Sequence, residues 1–70
     1  MKEFKLNGAD YIELCQLLKL ETDVQSGGQA KQEIADGAVR VNNRVELRKK
    51  CKIKAGQKVR YNAVDIHVIE

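Results

Sequence analysis

The first third of the chain predicts a short strand followed by an amphipathic helix. Phe4 and Leu6 alternate with charged residues, and the Asn7-Gly8 pair ends this segment. Between residues 11 and 20 the apolar side chains fall on one helical face, which predicts a first helix there. Asp10 stands directly before it and is the expected N-cap.

A second helix is predicted over residues 27–36. Ser26 and Gln29 have the spacing of a capping box, in which the Ser oxygen accepts a backbone N–H of the first turn. The Gln side chain is then expected to reach back to the Ser N–H. Apolar residues continue at helical spacing as far as Ile34, and Gly37 follows where a left-handed residue closes a helix.

The tripeptide Gly27-Gly28-Gln29 has a second interpretation, because class-one translation release factors use the same three residues to catalyse peptidyl-tRNA hydrolysis. Such a catalytic tip requires an exposed, mobile loop on a large anchoring body. Here the Gln is followed at once by a helical pattern, in a chain of only 70 residues. We therefore interpret the segment as a helix start, whose missing side chains leave the free N–H groups of the first turn accessible.

After Gly37 the hydrophobic period changes from about 3.6 residues to about 2, which predicts strands. Asn42-Asn43 is a hairpin signal, because Asn tolerates positive φ. A strict two-residue turn would pair Val41 with Arg44 and mix the two faces of the hairpin. We therefore expect a third loop residue or a bulge that pairs Val41 with Val45 instead.

Turns at residues 55–57 and 62–63 divide the rest of the chain into further short strands. The order of one strand, two helices and an antiparallel meander of about four strands predicts an α+β fold. With the Val, Leu and Ile side chains facing inward, Val45 and Leu47 among them, basic residues are placed on the solvent face of the meander. These residues are Arg40, Arg44, Arg48, Lys58 and Arg60.

Positive charge is concentrated in one segment of the chain. The formal net charge is +3, but residues 40–60 hold nine Lys and Arg against the single acid Glu46, a net charge of +8. Residues 1–39 carry −3, and residues 61–70 carry −2. A field polarised in this way attracts polyanions.

Length and composition predict one small globular domain without a membrane segment. Hydrophobic residues make up 43% of the 70 positions and charged residues 33%. No apolar run approaches the roughly 18 residues that a bilayer-spanning helix needs, and the N-terminus has no apolar signal segment. We expect a soluble, cytoplasmic protein.

The residue pattern predicts neither catalysis nor a cofactor. An enzyme needs a nucleophile with its base, paired carboxylates in a cleft, or a metal. The acids are dispersed, and His67 stands alone on a predicted strand with no ligand spacing around it. Cys15 and Cys51 form no C-x-x-C motif, so we expect two unpaired thiols and no metal site.

Nucleic acid fits the charge pattern better than any small substrate. Arg suits phosphate, because its planar fork grips the group at two points. The aromatic residues Phe4, Tyr11 and Tyr61 are too few to form a stacking platform for unpaired bases. The expected ligand is therefore a structured nucleic acid recognised through its backbone, and composition leaves RNA and DNA both open.

From Ser26 onward the chain reads SGGQAKQEIADGAVRVNNRV, and later KAGQKV. This resembles the RNA-binding domain named after small-subunit ribosomal protein S-four, over roughly residues 11–61. The stretches ELCQLLKLE and RKKCKIKAGQ further resemble the small stand-alone YbcJ-like branch of that family. The matching positions are Ser26, Ala30, Ile34, Gly37, Val39, Val41, Asn42, Val45 and Gly56.

The resemblance implies an alpha-L motif, with two N-terminal helices packed on a small antiparallel sheet of about four strands. It also implies that structured RNA, ribosomal or transfer RNA, is held by the second helix and the hairpin beside it. We expect a monomer, possible association with the ribosome, and no cofactor. The RNA-binding residues carried over by position, together with Arg40 and Lys52 of the basic segment, are Ser26, Gln29, Lys31, Arg40, Asn42, Arg44, Arg48, Lys49, Lys50 and Lys52.

Three positions depart from the family pattern. Gly27 stands in place of the usual Arg, Asn43 in place of Gly, and Gln57 in place of Asp. Loss of that Arg removes a familiar phosphate contact, so we expect affinity to depend more on residues 44–52.

Three other functions are weighed against RNA binding. A protein-interaction module could use the same charge on an acidic partner, and its complex would survive nuclease treatment. Duplex DNA could replace RNA, which a competition assay would show. A ubiquitin-like sulfur carrier requires a Gly-Gly tail, whereas the printed chain ends Val68-Ile69-Glu70.

Overall fold

The computed structural model describes residues 1–70 and contains two helices and seven strands. The elements in chain order are β1 Lys2–Lys5, β2 Ile12–Glu13, α1 Leu14–Glu21, α2 Gly27–Ala35, β3 Val39–Val41, β4 Arg44–Val45, β5 Lys52–Ile53, β6 Lys58–Tyr61 and β7 Val64–Ile69. The prediction of an α+β chain is confirmed, but two strands, β1 and β2, precede the helices where one was expected.

The main sheet has five strands in the order β1-β7-β6-β3-β4. Strands β3, β4, β6 and β7 pair antiparallel, whereas β1 adds to β7 in parallel. A separate two-stranded sheet joins β2 to β5. The expected antiparallel sheet of about four strands is thus wrong in detail. The sheet is mixed because the N-terminal strand docks beside the last strand of the chain.

One cluster of 16 buried side chains forms the core between the helices and one face of the main sheet. Strand residues alternate between this core and the outer surface, as the period-2 pattern predicts. The fully buried large side chains are Leu14, Leu17, Leu18, Ile34, Ile53, Ile66, Val39, Val59 and Val68.

The first helix begins later than its apolar pattern indicates. Ile12 and Glu13 are extended, because they pair with Ile53 and Lys52 of β5. The cap position is Glu13, whose side chain makes no cap hydrogen bond, so the expected N-cap at Asp10 is wrong. A contact made far along the chain here overrides the local helical period.

The second helix begins as predicted, with one difference in its cap. Ser26 Oγ accepts the Gln29 N–H at 3.1 Å, which confirms the helix start. The Gln29 side chain, however, accepts the Gln25 N–H at 2.9 Å and does not reach the N–H of Ser26. Gly37 ends the helix with φ of +82°, as the left-handed closing residue requires.

The β3–β4 hairpin has a two-residue turn, so the expected third loop residue or bulge is wrong. Asn42 and Asn43 have φ of +51° and +70°, which is the pair of left-handed residues that a type I′ turn needs. Val41 consequently pairs with Arg44, and Val45 pairs with Arg40. Val45 faces outward with 50% of its surface exposed, so it is not a core residue.

Leu47 is also an exception to the predicted inward set, because it is 58% exposed. It follows the short edge strand β4, beyond the last paired residue of the hairpin. Ile53, Val59 and Ile66 do face inward, as expected.

Candidate nucleic-acid interface

All nine cations of residues 40–60 are exposed, and seven of them have no carboxylate partner. The two exceptions are Arg48, which pairs with Glu46, and Arg60, which pairs with Asp65. The positive charge of this segment is therefore available to solvent and to a ligand. Eight of the nine cations fall in three groups, on the outer sheet face, at the hairpin and in the turn that leads into β5, while Lys54 follows β5.

The outer face of the main sheet carries the first group, Arg40, Lys58 and Arg60, which we call the outer-face cluster. Arg40 lies directly opposite Arg60 in the β3–β6 register. Like charges in such a pair repel, at a cost of roughly 0.2–1 kcal/mol. Lys58 is two residues from Arg60 on β6 and so shares its face.

Asp65 lies on the far side of Arg60 in the same cross-strand row. Its two carboxylate oxygens accept hydrogen bonds from Arg60 Nη1, at 3.2 Å each. This bond relieves part of the repulsion and fixes the Arg60 side chain. Arg40 makes no side-chain hydrogen bond or ion pair, so its charge is unneutralised.

Two shallow depressions adjoin Arg40 and Arg60. The first, of about 220 Å³, is also lined by Asn43, Lys58 and Asp65. The second, of about 260 Å³, is also lined by Asn62 and Ala38. Both depressions therefore have a strongly basic lining with amide side chains at the rim.

At the hairpin, Asn42 has a structural role. Its Oδ1 accepts the Lys58 N–H at 2.9 Å, and its own N–H donates to the Lys58 carbonyl at 2.8 Å. These bonds hold the turn against β6. Arg44, on the edge strand β4, is exposed and unpaired.

The segment Arg48 to Lys52, a turn that leads into the first residue of β5, docks on the start of α1 and is called here the basic turn. The Leu14 N–H donates to the Cys51 carbonyl at 2.9 Å, and the Cys15 N–H donates to the Lys49 carbonyl at 3.1 Å. The exposed Lys49 and Lys50 are therefore fixed beside the positive end of a helix dipole. This placement raises the positive potential that an anion meets there.

Within the basic turn, Arg48 is bound to the protein itself. Its Nε donates to Glu46 Oε2 at 3.0 Å, and its Nη2 donates to Glu46 Oε1 at 3.1 Å. These bonds, with the Arg48 backbone N–H, lower the pKa of Glu46 from 4.5 to about 2. The Cys51 thiol donates to the same carboxylate at 3.6 Å, and burial raises its pKa.

Lys52 is also engaged by the protein. Its Nζ lies 5.0 Å from the centre of the Tyr11 ring, a cation–π distance. Its strand partner is Glu13. Lys49 and Lys50 are consequently the freest cations of the basic turn.

The predicted site also includes the start of α2. Ser26 and Gln29 use their side-chain oxygens to cap the helix, and Lys31 is half-buried. No hydrogen bond or ion pair joins this turn to the hairpin or to the basic turn. The predicted residues are thus placed on several elements, and polar contacts alone do not unite them.

Lys58 and Arg60 are the two residues of the outer-face cluster that the predicted site omits. Their alternation with Val59 and Tyr61 correctly placed them on the outer face. Their position against Arg40 depends on the register between β3 and β6, which the local pattern does not contain.

No three His, Cys, Asp or Glu side chains come together as metal ligands do. Cys15 and Cys51 are both buried, free thiols. Neither helix has the length and apolarity that a membrane crossing requires.

Comparison with known proteins gives the same relatives in sequence and in structure. YbcJ of Escherichia coli strain K12 is 48% identical over 69 residues, 99% of each chain. YbcJ of Shigella flexneri matches equally, with 48% identity and 99% coverage of both chains. The solution structure of E. coli YbcJ is described as revealing an "alfaL" motif involved in RNA-binding. It superposes with a TM-score of 0.75 at 47% identity, covering 100% of this chain and 89% of that one.

The family model of the S4 domain matches residues 4–69, nearly the full length. That range includes both helices, the β3–β4 hairpin and the basic turn. The expected resemblance to the S-four family and its YbcJ-like branch is confirmed, and the chain belongs to the S4 domain family.

Proposed function

We propose that this protein is a non-catalytic RNA-binding module that acts as one domain and as a monomer. It docks on the phosphate backbone of structured RNA, ribosomal or transfer RNA, through the basic surface of residues 40–60. The observation that carries the proposal is that all nine cations there are exposed and seven lack a carboxylate partner. The described RNA-binding motif of E. coli YbcJ supports RNA over DNA.

The mechanism is electrostatic docking. Each phosphate that a Lys or Arg neutralises releases condensed counterions, so affinity falls with salt. About six such contacts would give a log–log salt slope near −4 to −5. The basic turn contributes a concentrated positive charge, because Lys49 and Lys50 lie at the start of α1.

The start of α2 and the hairpin set the orientation of the RNA in this proposal. The capped turn at Ser26 is rigid and carries no side chain at Gly27 and Gly28. A phosphate can therefore approach the backbone there. Gln29 and Lys31 flank this approach, and Arg44 extends the contact along the edge strand.

The basic turn is tested by changing Lys49 and Lys50 together to Ala. Arg48 is left in place, because its removal would also release Glu46 and Cys51. We expect affinity for a structured RNA to fall about tenfold, and the salt slope to become shallower by about 2, one for each lost contact. Binding is measured by fluorescence anisotropy at four salt concentrations.

The matched control changes Lys5 and Lys19 to Ala, which removes two exposed charges from β1 and α1. This control should change affinity less than threefold. Equal losses in both variants would mean that net charge matters and the basic turn does not. Unchanged binding in the Lys49 and Lys50 variant would end the proposal for this surface.

A second candidate function, binding of an acidic protein segment, has one observation in its favour. Val45 and Leu47 are 50% and 58% exposed along the edge strand and its continuation, between Arg44 and Arg48. Apolar and cationic side chains together suit an acidic, partly apolar peptide that pairs with a sheet edge. Loss of a captured protein after Val45→Ser and Leu47→Ser substitution, in nuclease-treated extract, would favour this function.

A further inference from the structure

The outer-face cluster lies on a different element from the basic turn and from the start of α2. We propose that Arg40, Lys58 and Arg60 form a separate phosphate-binding site on the outer face of the main sheet, which takes a second backbone phosphate of the same RNA. This inference rests on the proposed function and adds a second point of attachment to it. Nothing in the family match assigns a role to this face.

The first support is the direct opposition of two arginines. Arg40 and Arg60 are cross-strand partners, and their like charges repel in the free protein. A bound phosphate between them would replace this repulsion with two charge-assisted hydrogen-bond contacts. The arrangement is therefore unfavourable without an anion and favourable with one.

The second support is the state of the two guanidinium groups. Arg60 uses only Nη1 on Asp65, which fixes its position and leaves other N–H donors free. All five donors of Arg40 are without a protein partner. Asp65 thus neutralises part of the Arg60 charge, while Arg40 supplies unneutralised charge.

The depressions beside these arginines are small and open. They measure about 220 Å³ and 260 Å³, whereas pockets that enclose a complete small-molecule ligand usually span about 300–1,000 Å³. Each depression can therefore hold a phosphate with part of its ribose. The amide side chains of Asn43 and Asn62 at their rims can donate to ribose or phosphate oxygens.

The main test is Arg40→Gln, which keeps a polar side chain and removes the charge. We expect the affinity for structured RNA to fall about fivefold and the salt slope to become shallower by about 1. The midpoint of urea unfolding should stay the same or rise, because the repulsion with Arg60 is gone. A loss of RNA affinity without a loss of stability separates a binding role from a structural one.

Two matched variants on the same sheet face complete the test. Lys5→Gln removes one positive charge from β1 and should change affinity less than twofold. Asp65→Asn should strengthen RNA binding about threefold, because one negative charge leaves the site. Glu3→Gln, its control on β1, should have less than half that effect.

NMR tests whether the bound phosphate belongs to RNA, to inorganic phosphate or to a free nucleotide. The signals observed are the Arg Nε–H resonances of the natural protein. Addition of a structured RNA hairpin should shift the Arg40 and Arg60 signals, whereas inorganic phosphate and ATP should shift them only at millimolar concentration. Saturation by ATP at micromolar concentration would identify a nucleotide site and overturn the inference.

The results separate the inference from the proposed function. RNA that shifts the backbone amide signals of residues 48–52 but not the Nε–H signals of Arg40 and Arg60, with unchanged affinity in Arg40→Gln, overturns the outer-face site alone. RNA that shifts neither region overturns both.

Discussion

Asparagine has one consistent role among the residues of this chain. All four asparagines, Asn7, Asn42, Asn43 and Asn62, have left-handed φ, between +51° and +70°. A short polar side chain tolerates this region better than other side chains with a Cβ atom. Each asparagine therefore marks a chain reversal between strands or before α1.

At the residue scale, Glu46 makes a testable contribution to the pH dependence of stability. Its pKa is lowered from 4.5 to about 2 by the hydrogen bonds from Arg48. A group with a depressed folded-state pKa stabilises the protein above its unfolded value and loses that effect as the pH falls. Glu46→Gln should lower the free energy of unfolding at pH 7, and the difference from the natural protein should shrink between about pH 4.5 and 2.

Urea unfolding at pH 7, 4 and 2.5 measures this difference. Glu3→Gln is the control, because the Glu3 carboxylate forms no ion pair. A Glu46→Gln effect that stays constant over the whole range would mean that the Arg48 hydrogen bonds do not stabilise the fold.

At the scale of elements, the start of α2 allows a gain-of-function prediction. A Cβ atom at Gly27 would meet nothing within 4 Å, and its φ is helical. The resembling family has Arg at this position, beside the proposed RNA approach. Gly27→Arg should therefore strengthen RNA binding about threefold to tenfold and steepen the salt slope by about 1.

The same substitution should also stabilise the helix by up to about 1 kcal/mol, because Gly is a poor helix former. Gln16→Arg, on the exposed face of α1, is the control for added charge. A gain in affinity no larger than that of the control would remove the α2 start from the RNA-binding surface.

Much of this element structure could be predicted from local pattern. The change of hydrophobic period after Gly37 located the strands, and the Ser26 and Gln29 spacing located the start of α2. Both signals come from residues within four positions of one another. They therefore do not depend on the contacts that distant segments make in the folded chain. The same alternation correctly placed Arg40, Lys58 and Arg60 on the outer face, but it was wrong for Arg44, which pairs with the buried Val41.

What could not be predicted depends on contacts between distant segments. Ile12 and Glu13 look helical by period but are held extended by β5, some 40 residues away. The opposition of Arg40 and Arg60 needs the β3–β6 register. In the hairpin, the expectation that Val41 and Val45 share one apolar face required a longer loop. The left-handed Asn42 and Asn43 form a two-residue turn instead.

At the scale of the whole molecule, β1 and β7 connect the two ends of the chain. Lys2 pairs with Ile66 and Phe4 pairs with Val68, in parallel. Strands so far apart in sequence pair only at a large cost in loop-closure entropy, which must be met before their contacts stabilise the chain. We infer that β1 docks late in folding, after the helices and the β3–β6–β7 strands have formed.

Phe4→Ala tests this order. Phe4 is half-buried against the core, so its loss should destabilise by less than the roughly 3–5 kcal/mol of a fully buried Phe. Because its contacts form late, the variant should unfold faster and fold at nearly the natural rate. Stopped-flow mixing with urea measures both rates.

Ile34→Val, at a fully buried position of α2, is the comparison. Because α2 packs on α1, the helix directly before it, the loss of about 0.5–1.5 kcal/mol should slow folding. A slower folding rate for Phe4→Ala would show that the chain ends meet early.

The joined ends also affect the protein while it is being made. Residues 2–5 leave the ribosome about 60 residues before their hydrogen-bonding partner, residues 64–69. At about 5–20 residues per second, the leading strand waits several seconds for that partner. A nascent chain that does not yet include β7 leaves the facing backbone groups of β1 and β6 unpaired, because β7 lies between these two strands. Two unpaired strand edges are then exposed to other chains.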